Sequence, residues 1–448
     1  LGFSDGKRMS FEPRNDIDAF WLPFTPNRDF KSRPRMLARA EGMYFYDDRG
    51  RALLDGCSGL WCSNAGHARR PIVEAIARAA RDLDYAPTFQ FAHAPAFELA
   101  NRIAALAPDG LDRVFFVNSG SEAADAALKL ARAYWQKRGQ GGRFRLIGRE
   151  KGYHGVGFGG ISVGGIANNR KPYGPLLPGT DDHLPLPYDA SMRFTRGEPA
   201  RGADYADALD ALVALHGAET IAAVIVEPMS GSAGVFAPPK DYLKRLRAAC
   251  DRHGVLLIFD EVITGFGRLG AGFAAERYGV APDMIAFAKG VTNGAVPMGG
   301  VVVSNAIHDA FMQGPAHAIE LFHGHTYSGH PLACAAGIAT LDLYRDEGLY
   351  ERARKLAPAF EEAVHGLKGA PRVIDIRNCG LAAGVDIEPD PKAPGLRGYD
   401  AMRRAYFDED LVIRVSGDTI ALAPALIAGE SDIARMVEGV RAVLSRLS

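Results

Sequence analysis

The sequence predicts an α/β protein: a mostly parallel, doubly wound sheet in a large domain, followed by a smaller α+β domain. Two observations carry that reading. The first is a pair of short apolar runs, Val255 to Phe259 and Met284 to Ala288, that stop abruptly on Asp260-Glu261 and on Lys289-Gly290. Apolar runs of this length bounded by turn residues read as fully buried parallel strands, and the residues just past their carboxyl ends face the crevice where such proteins bind ligands. The second is the strand and helix alternation that runs from Arg113 to Lys289.

Taken in order, Leu1 to Asn15 is polar and aperiodic and reads either as a clipped leader or as an added, non-native segment. Phe20-Trp21-Leu22-Pro23-Phe24 is aromatic and proline-broken, and reads as an arm packed on another surface. Met43 to Tyr46, the Asp47-Asp48-Arg49-Gly50 turn and Ala52 to Asp55 form a strand-turn-strand signal. Pro71 to Leu83 and Pro95 to Leu106 have helical apolar spacing with proline at a tolerated early position. Arg113 to Asn118 is a strand that runs through Ser119-Gly120-Ser121 into a helix ending near Arg138.

The alternation continues with a strand near Leu146-Ile147, a helix from Tyr205 to His216, a strand from Ile221 to Val226 and a helix from Asp241 to His253. Between Gly152 and Gly202 there is no clear period, which marks a functional loop region. After the Gly300 to Ser304 run, a helical tract spans Pro331 to Leu367 with a break near Gly348. Strands at 373–376, 381–387, 411–415 and 419–422 and a final helix at 431–447 build the smaller domain. The expected division is 1–70 (arm and part of the small domain), 71–330 (large domain) and 331–448 (small domain).

The 448 residues, 47% hydrophobic and 23% charged, suffice for a sizeable core. A formal net charge of -1 offers no field for nucleic acid or a membrane surface, so small molecules are the expected ligands. Five scattered cysteines without metal-ligand spacing fit a reducing compartment, and a cytoplasmic location is expected. No apolar run approaches the roughly 20 residues of a spanning helix.

Lys289 could be a snorkelling surface side chain, or a Schiff-base lysine whose burial frees the amine to attack a carbonyl. Asp260 alone would pass for a turn aspartate. One strand from such a lysine, it is the carboxylate that pyridoxal 5′-phosphate requires against its pyridine nitrogen. Ser119-Gly120-Ser121 at a helix amino terminus is suited to a phosphate, and it is not the glycine fingerprint of a dinucleotide site. Tyr153 is a packing anchor or a platform for a flat ring. Arg414, which interrupts an apolar strand, faces solvent or forms a fork for a substrate carboxylate.

These residues resemble the class III aminotransferases, fold-type I pyridoxal-phosphate enzymes, and most of all their β-alanine (ω-amino acid):pyruvate branch. The resemblance runs from about Phe20 to the end. It rests on Gly59-Leu60-Trp61, Asn118 to Glu122, Gly152 to Gly155, Val226-Glu227-Pro228, Phe259 to Arg268, Ala288 to Gly294 and His325 to Pro331.

It implies a seven-stranded large-domain sheet, with Lys289 as Schiff-base lysine and as base and acid of the proton shift. Asp260 would hold the pyridine nitrogen, Tyr153 and Val262 the two ring faces, and Gly120 and Ser121 the phosphate, with Ser119, His154 and Glu227 among the residues of the cofactor site. Thr326 would reach the phosphate of the neighbouring subunit, which implies an obligate homodimer, alone or within a tetramer. Leu60, Trp61, Tyr153, Arg414 and the partner's Phe89 would shape the substrate pocket. No metal is implied.

Ser232 stands where the ornithine and 4-aminobutyrate branches carry a glutamate that pairs with the active-site arginine, and Ile263 where they tend to carry glutamine. Pyruvate is therefore the expected acceptor rather than 2-oxoglutarate. The alternatives are a racemase or decarboxylase on the same scaffold, a 2-oxoglutarate transaminase, and a non-catalytic cofactor-binding protein. A nicotinamide oxidoreductase is weaker for want of the glycine fingerprint.

Overall fold

The computed structural model describes residues 17–447, so the polar stretch Leu1–Asn15 lies outside the described residues. At its centre is a seven-stranded sheet whose strands we label β1 (Arg113–Val117), β2 (Arg145–Arg149), β3 (His183–Leu184), β4 (Ile221–Val226), β5 (Leu256–Asp260), β6 (Met284–Ala288) and β7 (Gly299–Val303). Their spatial order is β1-β7-β6-β5-β4-β2-β3. Only β7 runs against its neighbours β1 and β6; the pairs from β6 through β3 are parallel.

β4, β5, β6 and β7 are buried at every residue, as continuous apolar runs covered on both faces must be. One cover is the helix Gly120–Lys137. Its inner face is built from Ala123, Ala127 and Ala131, small enough to let the helix lie close to the strands, and ends in Trp135, whose indole N–H donates to Ala222 O at 2.9 Å. That helix begins three residues after β1 ends, so its amino terminus is set at the carboxyl edge of the sheet.

Two smaller sheets flank this body. Arg39–Glu41, Tyr44–Tyr46 and Ala52–Asp55 form a meander that Leu411–Val412 joins in parallel beside Leu54 and Asp55. Val373–Asn378, Ala383–Ile387, Thr419–Leu422 and Arg414–Ser416 form an antiparallel sheet in that order. The carboxyl-terminal strands thus divide between two sheets, and the single strand expected over 411–415 is in fact two, separated at Ile413.

The helices at Arg70–Asp82, Ala94–Ala104, Tyr242–His253 and Glu430–Leu444 fall within a few residues of the expected spans, and Pro331–Asp346 and Leu349–His365 break at Gly348, whose φ is +59°. Several elements depart from expectation. β3 and the short helices Phe158–Val163 and Ala167–Arg170 sit inside the Gly- and Pro-rich stretch read as loop, and the helices Asn305–Phe311 and Leu396–Asp408 occupy segments with no expected element. All five cysteines are free, and no helix among the described residues is long and apolar enough to cross a membrane.

Candidate active site

β1, β5 and β6 run in the same direction, so their carboxyl ends open on one edge of the sheet, where α/β proteins place their crevice. A cavity there is lined by Gly120, Ser121, Tyr153, Gly155, Glu227, Asp260, Val262, Ile263 and Lys289. Seven of these are residues singled out from the sequence. Gly155 and Ile263 were not assigned to the site, although each adjoins a residue that was.

Asp260 ends β5 and is buried. One carboxylate oxygen accepts the Val262 N–H at 3.1 Å, and the other lies 2.8 Å from Nδ1 of His154, whose ring is fully buried. Nε2 of His154 has no partner. His154 therefore stands behind Asp260, holding the carboxylate rather than lining the cavity.

Lys289 opens the turn after β6 with φ of +50°, a left-handed conformation that costs a side-chain-bearing residue about 1–3 kcal/mol. The next residue is clamped by Tyr344, whose hydroxyl donates to Gly290 O at 2.7 Å. Burial holds the Lys289 amine below its usual 10.5; Cys62 and Asp260 oppose that shift, and the positive charge of Arg414 adds to it. A neutral amine is what nucleophilic attack and proton abstraction need.

Glu227, fully buried after β4, accepts the backbone N–H of Tyr153 at 3.0 Å and of Gly231 at 3.2 Å. Burial raises its carboxyl above the usual range. Arg149, also buried, braces it from behind by donating to Glu227 O at 2.7 Å and Ser230 Oγ at 2.6 Å. Burial likewise raises the Tyr153 hydroxyl.

The opposite wall is the amino terminus of Gly120–Lys137. Ser119 Oγ is spent on capping it, accepting Glu122 N–H at 3.2 Å. The N–H groups of Gly120 and Ser121 in the first turn have no carbonyl one turn back, which leaves them for an anion. Gly120 must be glycine because a Cβ would lie 2.9 Å from Val262 Cγ1, and Gly155 because a Cβ would lie 2.5 Å from Ser121 Cα at a φ of +87°.

The remaining predicted residues do not line this cavity on the single chain. Trp61 is buried in a cluster that includes Ile263 and Met229, at the end of a turn with φ of +48° at Ser58 and +63° at Trp61. Asp55, which sequence reasoning missed, holds that turn by accepting the Cys57 N–H at 2.9 Å and the Gly59 N–H. Its only signal is a buried-strand aspartate. Leu60 is exposed. Phe89 and Thr326 are both exposed, Phe89 at the rim of a separate groove with Phe91, Phe97 and His323. Arg414 is half-buried, and among the described residues no carboxylate lies within ion-pair distance of it.

The cavity suits pyridoxal 5′-phosphate. An aromatic ring and a branched aliphatic side chain border a slot, a buried carboxylate closes its floor, an amine reaches in from the side, and a helix amino terminus stands free for the phosphate. Such a fold and site define the class of pyridoxal-phosphate enzymes.

Comparison with known proteins narrows the class. The profile of the family Aminotransferase class-III matches residues 27–444. An omega-aminotransferase of Caulobacter vibrioides is 57% identical, over 97% of this chain and 98% of that protein. A beta-alanine–pyruvate aminotransferase of Pseudomonas aeruginosa is 49% identical, over 97% of each. Among solved structures, a thermostable (S)-enantioselective omega-transaminase from Thermomicrobium roseum superposes with a TM-score of 0.88 at 36% identity, covering 95% of each chain. The chain belongs to the class III aminotransferases. Its fold is that of the fold-type I transaminases, and its cofactor is pyridoxal 5′-phosphate.

Proposed function

We propose that this aminotransferase moves an amino group from β-alanine, another ω-amino acid or a primary amine to pyruvate, releasing alanine and an aldehyde, ketone or oxo acid. The relatives at 57% and 49% identity carry omega-amino and β-alanine–pyruvate names. The observation that carries the substrate half is Arg414: it has no carboxylate partner among the described residues, and Ser232, at the position where a pairing glutamate would stand, is buried.

Bound in the cavity, pyridoxal 5′-phosphate supplies an electron sink for negative charge at the substrate carbon. Gly120 and Ser121 would hold its phosphate, Tyr153 and Val262 its faces, and Asp260 its ring nitrogen. His154 keeps the Asp260 carboxylate aimed, and Glu227 fixes Tyr153 through its backbone. Lys289 Nζ, whose charged form burial disfavours, takes the proton from the carbon that bears the amine and later returns one. Arg414 binds the single carboxylate of pyruvate or alanine and swings aside for an amine without one.

We read the assembly as a homodimer. Trp21 is 86% exposed and Phe322 86%, and with Phe20, Phe24, Phe89, Phe91 and Tyr327 they leave large apolar side chains in solvent on a single chain. Thr326 and Phe89 would then serve the neighbouring subunit's site.

The test offers the purified enzyme β-alanine with equal pyruvate and 2-oxoglutarate. Alanine should outrun glutamate by at least about tenfold. Dominant glutamate would overturn the acceptor assignment, and carbon dioxide or a racemised amino acid in place of either would overturn transamination itself.

A further inference from the structure

Arg377 is a buried cation outside the lining of the cofactor cavity, with its side chain 4% exposed. It lies in the strand Val373–Asn378, in the same four-stranded sheet as Arg414. All five of its N–H donors are engaged. Nη1 and Nη2 fork onto Asp386 at 2.8 and 2.6 Å, Nη1 also reaches Asp375, and Nε and Nη2 both donate to Gly234 O, at 3.0 and 2.9 Å. The Phe236 ring covers the guanidinium at 4.2 Å. Thr419 completes the fork by donating to Asp386 Oδ1 at 2.6 Å.

Gly234 belongs to a turn closed by reciprocal bonds between Ser230 and Phe236, at 3.1 and 3.0 Å. On its far side the turn meets the cavity wall: Gly231 N–H donates to Glu227, and Gly231 packs so closely on Ile263 that a Cβ would fall 2.8 Å from its Cδ1. Ser232 sits in the same turn. Toward the sheet, Gly384 faces Gly234 O so closely that a Cβ would fall 2.3 Å from it. The turn therefore touches the cofactor cavity on one side and the Arg414 sheet on the other, and Arg377 is the fastening between them.

We propose that Arg377 is a positioning residue for carboxylate selectivity, setting the register between the Arg414 sheet and the cavity wall. This role rests on Arg414 binding the carboxylate of whichever substrate carries one, β-alanine as well as pyruvate and alanine. Lysine, with three donors on a point charge, cannot span Asp386, Asp375 and Gly234 together.

The experiment follows single-turnover amino transfer to the cofactor-loaded enzyme from β-alanine and from propylamine, which has no carboxylate. For Arg377→Lys, the concentration giving half-maximal rate should rise about tenfold with β-alanine and change less than about twofold with propylamine, with maximal rates little altered. Thr419→Val, which removes one bond to Asp386, should move the same ratio in the same direction by less and serves if Arg377→Lys does not fold. A brace with no part in selectivity would weaken both donors alike, and that result, or an unchanged ratio, overturns the proposal. Arg414→Ala separates the two levels. If it shifts the ratio and the Arg377 and Thr419 variants do not, only the positioning role fails; if Arg414→Ala leaves the ratio unchanged, the carboxylate reading fails and takes this role with it.

Discussion

Nδ1 of His154 lies 2.8 Å from Oδ2 of Asp260, with both side chains buried and the far nitrogen of the imidazole unpartnered. The pair joins the loop after β2 to the end of β5, so the direction in which Asp260 points into the cavity is set by a residue over a hundred positions earlier. Replacing His154 by Ala leaves the carboxylate one hydrogen bond short in a buried place, at about 1–3 kcal/mol. Turnover in His154→Ala is expected to fall by roughly 10- to 100-fold. Steady-state rates beside a thermal melt check this, and wild-type turnover would remove His154 from the account.

Gly155→Ala should loosen the cofactor before it unfolds the protein. Its Cβ meets Ser121 at 2.5 Å in a left-handed backbone, and the strain falls on the first turn of the phosphate-facing helix. A cost of about 1–3 kcal/mol corresponds to a cofactor dissociation constant raised about 5- to 150-fold. Fluorescence titration of cofactor-free protein measures it, and an unchanged constant would place the phosphate elsewhere.

Cofactor capture by the empty enzyme should speed up as pH rises, with a midpoint below 10.5, because burial favours the neutral Lys289 amine. The same shift has a stability sign. The unfolded chain binds a proton on this lysine where the folded chain does not, so the empty protein gains stability as pH rises toward 10.5. Capture rates that climb only above 10.5 would show that the lysine is solvated.

Glu261 gives the opposite slope. Fully buried, it accepts the Ala275 N–H at 2.9 Å and the Thr264 hydroxyl at 2.9 Å, yet burial raises its carboxyl from 4.5 to about 7. Between those values the folded state keeps a proton that the unfolded state has released, so stability falls as pH rises from 4.5 to 7. The loss is at most on the order of 3 kcal/mol. Denaturant melts across that range should show the decline in wild type and a flatter profile in Glu261→Gln; equal slopes would assign the decline to another group.

Much of the site was legible because its residues sit where local pattern is strong. The runs ending at Asp260 and Lys289 are uninterrupted apolar strands, and Ser119 is a helix cap followed by a long alanine-rich stripe. What escaped depends on distant partners. Leu411 to Val415 is continuous in sequence but divides between sheets because Leu411 pairs with Leu54 and Arg414 with Ala421. β3 has two residues and owes its existence to β2. The helix Leu396–Asp408 carries a glycine, Gly398, where a Cβ would fall 2.0 Å from Gly417 O, and that residue weakens its helical signal. Arg149 and Arg377 act through carbonyls of turns far away in sequence, which no spacing records.

In the proposed reaction Lys289 moves the protons of an amino transfer to pyruvate. The most direct measurement supplies ¹⁵N-labelled β-alanine and pyruvate to the wild type and to Lys289→Ala, both folded and loaded with cofactor, and follows label in alanine by mass spectrometry. Wild type should transfer the label stoichiometrically, and the variant should do so slower by about 10²–10⁴-fold or more. Unlabelled alanine from the wild type, or undiminished transfer by Lys289→Ala, would contradict the account.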